Sequence, residues 1–182
     1  MQTAITGGIA EGKSTVLGYV AELGYSTLSA DSVAREVFSD PAINCQLALE
    51  AGQSAPIAPG SLRDALVKNP IIRRAVNRIM HPKIMEIIRA SGSQFVEVPL
   101  LIETCLYSQF DHVWVVTCSP EEQRRRLADR YGDAFDGELL LTSQLRTEVK
   151  IPFADEVFRT NRPAQTVRRN VSEALARRFE MG

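Results

Sequence analysis

The chain predicts an α/β fold, a parallel sheet flanked by helices, on three observations. Residues Gly7 to Ser14 read Gly-Gly-Ile-Ala-Glu-Gly-Lys-Ser, an uninterrupted G-x-x-x-x-G-K-[ST] string followed by Thr15. Short apolar strand patterns alternate with helical patterns along both ends of the chain. Between Ser39 and Gly92 no strong strand pattern occurs, and Pro41, Gly52, Pro56, Pro59 and Gly60 punctuate helical runs. That stretch reads as a helical insertion between the second and third strands.

Taken in order, Thr3 to Thr6 predicts the first strand, and Val16, Leu17, Tyr19, Val20 and Leu23 mark the buried face of the helix after the loop. Strand, glycine turn and helix together define a P-loop of the NTPase type, whose backbone N–H groups and helix N-terminus converge on one anion. Gly8, Ile9, Ala10, Glu11 and Gly12 supply that backbone, with Gly7 and Gly12 allowing close approach of a phosphate. Lys13 should reach the β- and γ-phosphates of a nucleotide triphosphate, Ser14 should ligate Mg²⁺, and Thr15 is placed for a neighbouring phosphate.

Tyr25 to Leu28 predicts the second strand. It ends at Ser29-Ala30-Asp31, where Asp31 is either the N-cap of the next helix or a carboxylate on the ligand edge of the sheet. In the insertion, Leu62 to Val67 and Ile71 to Met80 are helical, and His81-Pro82 should end one helix and let Lys83 to Arg89 start another. Phe95 to Val98 predicts the third strand. Its single carboxylate, Glu97, is either an edge-strand charge or an acidic group near the Mg²⁺ water shell, and Glu103 beyond it is expected on a solvated helix face.

Asp111 to Thr117 is the clearest strand, and Ser119-Pro120-Glu121-Glu122 is the cap and first turn of the following helix. The polar turn from Arg130 to Gly137 and the helical stretch through Gln144 and Arg146 to Lys150 mark a lid, so Arg130 and Arg146 are candidates for stabilising transition-state charge. Glu156 to Phe158 predicts the last strand, Asn161 the turn after it, and Pro163 to Phe179 the final helix.

Composition narrows the class. The 182 residues, 45% hydrophobic with a formal charge of −1, fit one globular domain and no general nucleic-acid binder, and Arg124-Arg125-Arg126 reads as a solvated helix face. No apolar run approaches a membrane span and no signal-like segment precedes the first strand, which predicts a cytoplasmic protein. Cys45, Cys105 and Cys118, with only His81 and His112 beside them, suggest neither a disulfide framework nor a zinc site, only buried or incidental thiols.

Nearly the whole chain resembles the dephospho-coenzyme A kinases. The shared motifs are T-G-G-I-A-E-G-K-S-T at 6 to 15, L-G-Y at 23 to 25, S-A-D-S-V-A-R at 29 to 35 and H-P-K-I at 81 to 84. V-E-V-P-L-L-I-E at 96 to 103, Q-R-R-R-L-A-D-R at 123 to 130, S-Q at 143 and 144, and K-I-P-F-A-D at 150 to 155 follow. The resemblance implies a single P-loop kinase domain, 1–182. Its core covers about 1–38, 93–129 and 148–182, an acceptor-binding insertion about 39–92 and a lid about 130–147. It also implies transfer of the γ-phosphoryl of ATP to the ribose 3′-hydroxyl of dephospho-coenzyme A. Asp31 would then be the base, Arg35, His81, Pro99, Leu100 and Leu101 would lie along the acceptor, and Asn161 near the adenine.

The chain departs from the family pattern at several points. Ala10-Glu11 replaces Gly-Ser, so the Glu11 carboxylate should point outward, away from the phosphates. Ser29-Ala30-Asp31 replaces Asp-Ala-Asp and removes one carboxylate. The insertion is short between Asp40 and Ser61, which leaves its first helix unsupported, and Leu140 stands where a lid arginine is expected. Another P-loop nucleoside monophosphate or small-molecule kinase would share the loop and lid. A nucleotide-dependent switch would need a guanine-reading N-K-x-D motif, which the chain lacks, and its D-x-x-G at 129 to 132 follows a helix instead of a strand.

Overall fold

The computed structural model describes residues 1–132, 141–142 and 144–180, which form two compact units, one of residues 1–28 with 93–182 and one of residues 29–92. The first unit is built on a sheet in the order β2-β3-β1-β4-β5, with β1 at Thr3–Gly7, β2 at Thr27–Ser29, β3 at Phe95–Glu97, β4 at His112–Thr117 and β5 at Glu156–Arg159. The pairings of β1 with β3 and β4, and of β4 with β5, are parallel. β1 is buried along its whole length, as an apolar central strand covered on both faces must be. The loop after β1 therefore leaves the carboxyl edge of the sheet between the ends of β3 and β4, where open parallel sheets bind ligands.

One face of that sheet is packed by α1 (Lys13–Glu22) and the C-terminal helix, labelled α8 below (Ala164–Glu180). Val16 and Val20 of α1 meet Val167, Val171, Ala174 and Leu175 over Ile5, Phe95, Trp114, Val116 and Phe158. Across the strands the rings of Tyr25, Phe95, Trp114 and Phe158 stand in a row with centroids 5.7, 5.0 and 4.9 Å apart, in edge and tilted geometries that add to the area they bury. β4 and β5 are joined at their start by Asp155, whose N–H donates to Val113 O at 2.8 Å and whose carboxylate accepts from Val113 N at 2.7 Å. After β4 come α6 (Pro120–Tyr131), capped by the Ser119 hydroxyl, and the short α7 (Thr147–Lys150). The predicted helix through Gln144 and Arg146 is not formed there: residues 144–146 are non-helical, and Arg146 stands before the single turn of α7.

The second unit is helical: α2 (Ala30–Ser39), α3 (Pro41–Glu50), α4 (Pro59–Lys68) and α5 (Pro70–Ala90). The first insertion helix, unsupported in the sequence, exists as α3. Asp40 caps it by accepting from Ala42 N at 2.8 Å and Ile43 N at 3.0 Å, and Pro41 supplies the first helical residue. Leu47, Ala48, Ile57, Leu62 and Val76 form its core. The buried Asn44 amide exchanges hydrogen bonds with Ile57 N and O and so pins the loop between α3 and α4. The expected break at His81-Pro82 does not occur, because α5 continues through Pro82 for 21 residues. The proline removes one backbone donor, and burial of Val76, Met85 and Ile88 on either side of it keeps the helix whole. No helix among the described residues is long and apolar enough to cross a membrane.

Candidate active site

Each glycine of the loop has a definable neighbour. A Cβ on Gly7 would lie 2.1 Å from Val116 O, and one on Gly12, whose φ is 93°, would lie 2.9 Å from Thr160 Oγ1. Ala10 adopts φ 58°, a left-handed conformation that costs a non-glycine residue energy and that the tight curve of the loop imposes. Gly12 then serves as N-cap of α1, so the first N–H groups of that helix face the loop's concavity.

Lys13 and Ser14 follow on the first turn. The Lys13 side chain is 7% exposed and folds back to donate from Nζ to Gly8 O at 2.9 Å, which holds an ammonium inside the loop. Ser14 is exposed, and its hydroxyl lies 3.3 and 3.2 Å from the Glu97 carboxylate oxygens. Because β3 lies between β2 and β1, Glu97 is no edge-strand charge; it ends an interior strand beside the loop. Thr15 is exposed one residue on.

Glu11 corrects the expectation of an outward carboxylate. Its residue is 4% exposed and its side chain turns under the loop. Gly8 N donates to Oε2, Thr147 Oγ1 donates to Oε2 at 2.6 Å, and Thr117 Oγ1 donates to Oε1 at 3.4 Å. Burial raises its pKa above the ordinary carboxylate value, against the hydrogen bonds from Thr147 and Gly8 and the charges of Lys13 and Lys150. The side chain's hydrogen-bond partners are two threonines and a backbone amide, and neither Arg130 nor Arg146 is among them.

Several groups that hold the loop carry no signal in the motif. Ile9 N donates to Gln144 Oε1 at 3.0 Å, and Gln123 Nε2 donates to Ile9 O at 2.8 Å. Thr160 Oγ1 donates to Glu11 O at 2.6 Å, and Arg126 Nη1 donates to Thr160 Oγ1 at 2.9 Å while Nη2 reaches Thr160 O. Arg126 is therefore a strut under the loop, and the solvated reading of the arginine run holds for Arg125, which pairs with Glu122 and Asp129. Only the chain spacing between the Q-R-R-R run and Thr160, read with the fold known, could have exposed this.

Glu103 is likewise no solvated helix residue. Its carboxylate meets Lys150 Nζ at 2.7 Å and accepts from Leu145 N at 3.1 Å, and Lys150 is 0% exposed. Lys150 also donates to Pro99 O at 3.3 Å, the same carbonyl that Thr6 Oγ1 reaches. Leu101 is fully buried and Leu100 exposed in that turn.

Gly8, Ile9 and Glu11 form one wall of a cavity of about 480 Å³, with Gln123, Arg124 and Arg146 among its other lining residues. Arg146 is 83% exposed and pairs with Glu148 at 3.5 Å. Arg130, in the last turn of α6, lies over the Tyr131 ring. The rest of the expected lid, residues 133–140 with Leu140, and Ser143, lies outside the described residues. Cys45 and Cys105 are exposed, and Cys118 is half-buried with its thiol pushed up to about 11 by burial, so it stays protonated at neutral pH. Asn161 is exposed in the bend after β5.

In the helical unit, Asp31 is not an N-cap. Ser29 holds that position, and Asp31 is an exposed acid in the first turn of α2. Arg35, one turn later, is exposed on the same face. His81 is half-buried in α5, and burial lowers its pKa, so it is neutral at pH 7.

Comparison with known proteins agrees with this geometry. The dephospho-CoA kinase family description matches residues 1–165. A dephospho-CoA kinase of Escherichia coli K12 is 32% identical over 192 aligned positions, covering 98% of this chain and 93% of its own. Among solved structures, TT1252 from Thermus thermophilus superposes with a TM-score of 0.83 at 24% identity, covering 97% of both chains. Dephospho-CoA kinase from Campylobacter jejuni gives a TM-score of 0.67 at 24% identity over 96% of this chain and 95% of that one. These two likenesses speak for the fold, a P-loop kinase sheet, while the family match speaks for the chemistry: the chain belongs to the dephospho-CoA kinase family, and the reaction that goes with that membership is the ATP-dependent phosphorylation of dephospho-coenzyme A.

Proposed function

We propose that the loop of residues 8–15 binds the phosphates of ATP and that the γ-phosphoryl group passes to the ribose 3′-hydroxyl of dephospho-coenzyme A. The observation that carries the reading is the pairing, on the carboxyl edge of the sheet, of an ammonium held inside the loop with a solvent-facing Ser14–Glu97 oxygen pair. Lys13 would sit against the β- and γ-phosphates. Its charge is in place before the reaction, which is where fixed electrostatic stabilisation is most effective.

Ser14 and Glu97 fit Mg²⁺, a hard cation that binds through one or two protein oxygens and otherwise keeps water and substrate phosphates. No group of three or more metal-binding side chains occurs among the described residues, and this donor set does not require one. Held by Ser14 and Glu97, the ion would supply positive charge against the charge that develops on the phosphates. Asp31, exposed in the first turn of α2, would accept the hydroxyl proton and orient the nucleophile. Arg35, His81, Pro99 and Leu100 would line the acceptor, with Leu101 supporting that turn from the core, and Asn161 would meet the adenine. Arg130 and Arg146 would contribute from the lid of residues 130–147, beside a core of about 1–38, 93–129 and 148–182 and an insertion of about 39–92. The same reading puts the enzyme in the cytoplasm with its soluble substrates.

Purified protein with Mg²⁺·ATP and dephospho-coenzyme A should give coenzyme A and ADP, identified by mass, and should leave a panel of nucleoside monophosphates unphosphorylated. Turnover of a monophosphate in preference to dephospho-coenzyme A would overturn the acceptor assignment. Asp31→Asn should lower kcat by about a hundredfold or more while ATP affinity is kept. Loss of stability with kcat per folded molecule unchanged would reduce Asp31 to a helix-end charge.

A further inference from the structure

An anion is the least expected side chain to bury under a loop that binds phosphate, because burial and the bound phosphates both oppose its charge. The contacts of Glu11 show what its carboxylate does there. It joins three separate pieces of chain: the loop itself through Gly8 N, the end of β4 through Thr117, and the start of α7 through Thr147, 136 residues away. Three residues before Thr147, Gln144 takes the N–H of Ile9. The segment 144–147 is thus fastened to the first half of the loop at two points. Between those points stands Arg146, whose guanidinium is exposed at the cavity that Gly8 and Ile9 also line.

We infer that Glu11 is a positioning residue, a latch that holds the Arg146 segment against the first half of the phosphate-binding loop. The requirement is for a side chain long enough to reach Thr147 from inside the loop and able to accept from Gly8 N at the same time. A serine at this position is too short for both. The hydrogen bonds from Thr147 and Gly8 come ahead of the charges of Lys13 and Lys150 in what acts on the carboxylate, so the latch works chiefly through directed hydrogen bonds. What the latch serves, placement of Arg146 for phosphoryl transfer, rests on the kinase reading above; that it holds the segment does not.

The test compares Glu11→Ser, Glu11→Gln, Thr147→Val and the double variant Glu11→Ser/Thr147→Val. Glu11→Ser should lower kcat about tenfold to a hundredfold, the scale of a positioning error of about 1 Å. The KM for ATP should change by a smaller factor than kcat, because Lys13 and Ser14 keep their own contacts. Glu11→Gln should recover most of the rate: with its amide oxygen in the place of Oε2 it can accept from both Gly8 N and Thr147 Oγ1, and its amide N–H can donate to Thr117 Oγ1. Thr147→Val should lower kcat in the same direction, and the double variant should be no slower than Glu11→Ser. Backbone hydrogen exchange of residues 144–150, measured without nucleotide, should quicken in Glu11→Ser and Thr147→Val and stay slow in Glu11→Gln. Wild-type kcat and exchange in Glu11→Ser, a Gln variant as impaired as Ser, or losses that multiply in the double variant would each overturn the latch. If Glu11→Ser does not fold, Thr147→Val and Glu11→Gln decide it alone. If the wild type fails to phosphorylate dephospho-coenzyme A, the functional reading falls and the exchange measurement still decides the latch.

Discussion

The two halves of the phosphate-binding loop are held by different means. Gly12 to Thr15 are held by the motif: Gly12 caps α1, Lys13 closes on Gly8 O, and Ser14 meets Glu97 at the end of the neighbouring strand. Gly8 to Glu11 are held by side chains from far along the chain, Gln123, Gln144 and Thr147, with Thr160 bridging the halves at Glu11 O. Each half also meets one carboxylate, the solvent-facing Glu97 on the β3 side and the buried Glu11 on the β4 side. On the proposed reading the second half carries the chemistry, and the first half is scaffold whose shape depends on its distant partners.

The largest expected effect lies where the first half's supports are rooted. Segment 144–150 is anchored by Lys150, fully buried against Glu103, with one Glu103 oxygen buried and lacking a hydrogen-bond partner. Lys150→Met should cost about 3–5 kcal/mol of stability, since it leaves that carboxylate buried without its cation. Urea denaturation measures the loss, and Glu103→Gln in the same chain should return part of it. A loss below about 1 kcal/mol would mean that the pair is solvated and the first half is rooted elsewhere.

Lys13→Ala tests the other half and should leave stability nearly alone. Removing a fixed cation aimed at developing phosphate charge should cost about 3 kcal/mol or more in kcat/KM, a factor of a hundred or greater. Activity near wild type would break the division, because the second half would then not be the chemical half.

What could be read from the sequence follows the same line. Strands and flanking helices were legible because short apolar runs and helical periodicity report the core directly: Phe95, Trp114 and Phe158 fall within those apolar runs. The motif's back half was legible for the same local reason. Glu11 was misread because its direction is set by Thr117 and Thr147, more than 100 residues away, and no local pattern encodes such a partner. Pro82 was misread in the opposite sense: local chemistry argued for a break, and burial of α5 on both sides overrode it. The α3 start at Asp40-Pro41 was legible in principle, since an aspartate before a proline is a sufficient helix-start signal. Arg126 looked like one of three equivalent arginines until Thr160 was brought beside it.

The smallest effect sharpens the comparison through pH. Burial raises the Glu11 pKa, so the folded protein holds that proton at pH values where the unfolded chain has already released it. A group of this sign weakens the fold as pH climbs from the ordinary carboxylate value through the raised one, and above that the penalty is fully present. Glutamine has the shape of the protonated acid and never ionises. Glu11→Gln should therefore be slightly more stable than wild type at pH 7 to 8, by less than the roughly 2–4 °C in Tm that 1 kcal/mol represents for a chain of this size. The difference should shrink toward zero as pH falls below the ordinary carboxylate range, where both residues are neutral. Paired melting curves at pH 4 and pH 7.5 read the result. A Glu11→Gln protein less stable than wild type at pH 7.5 would mean that the hydrogen bonds from Gly8 and Thr147 and the charges of Lys13 and Lys150 outweigh desolvation, so that the carboxylate itself strengthens the first half of the loop.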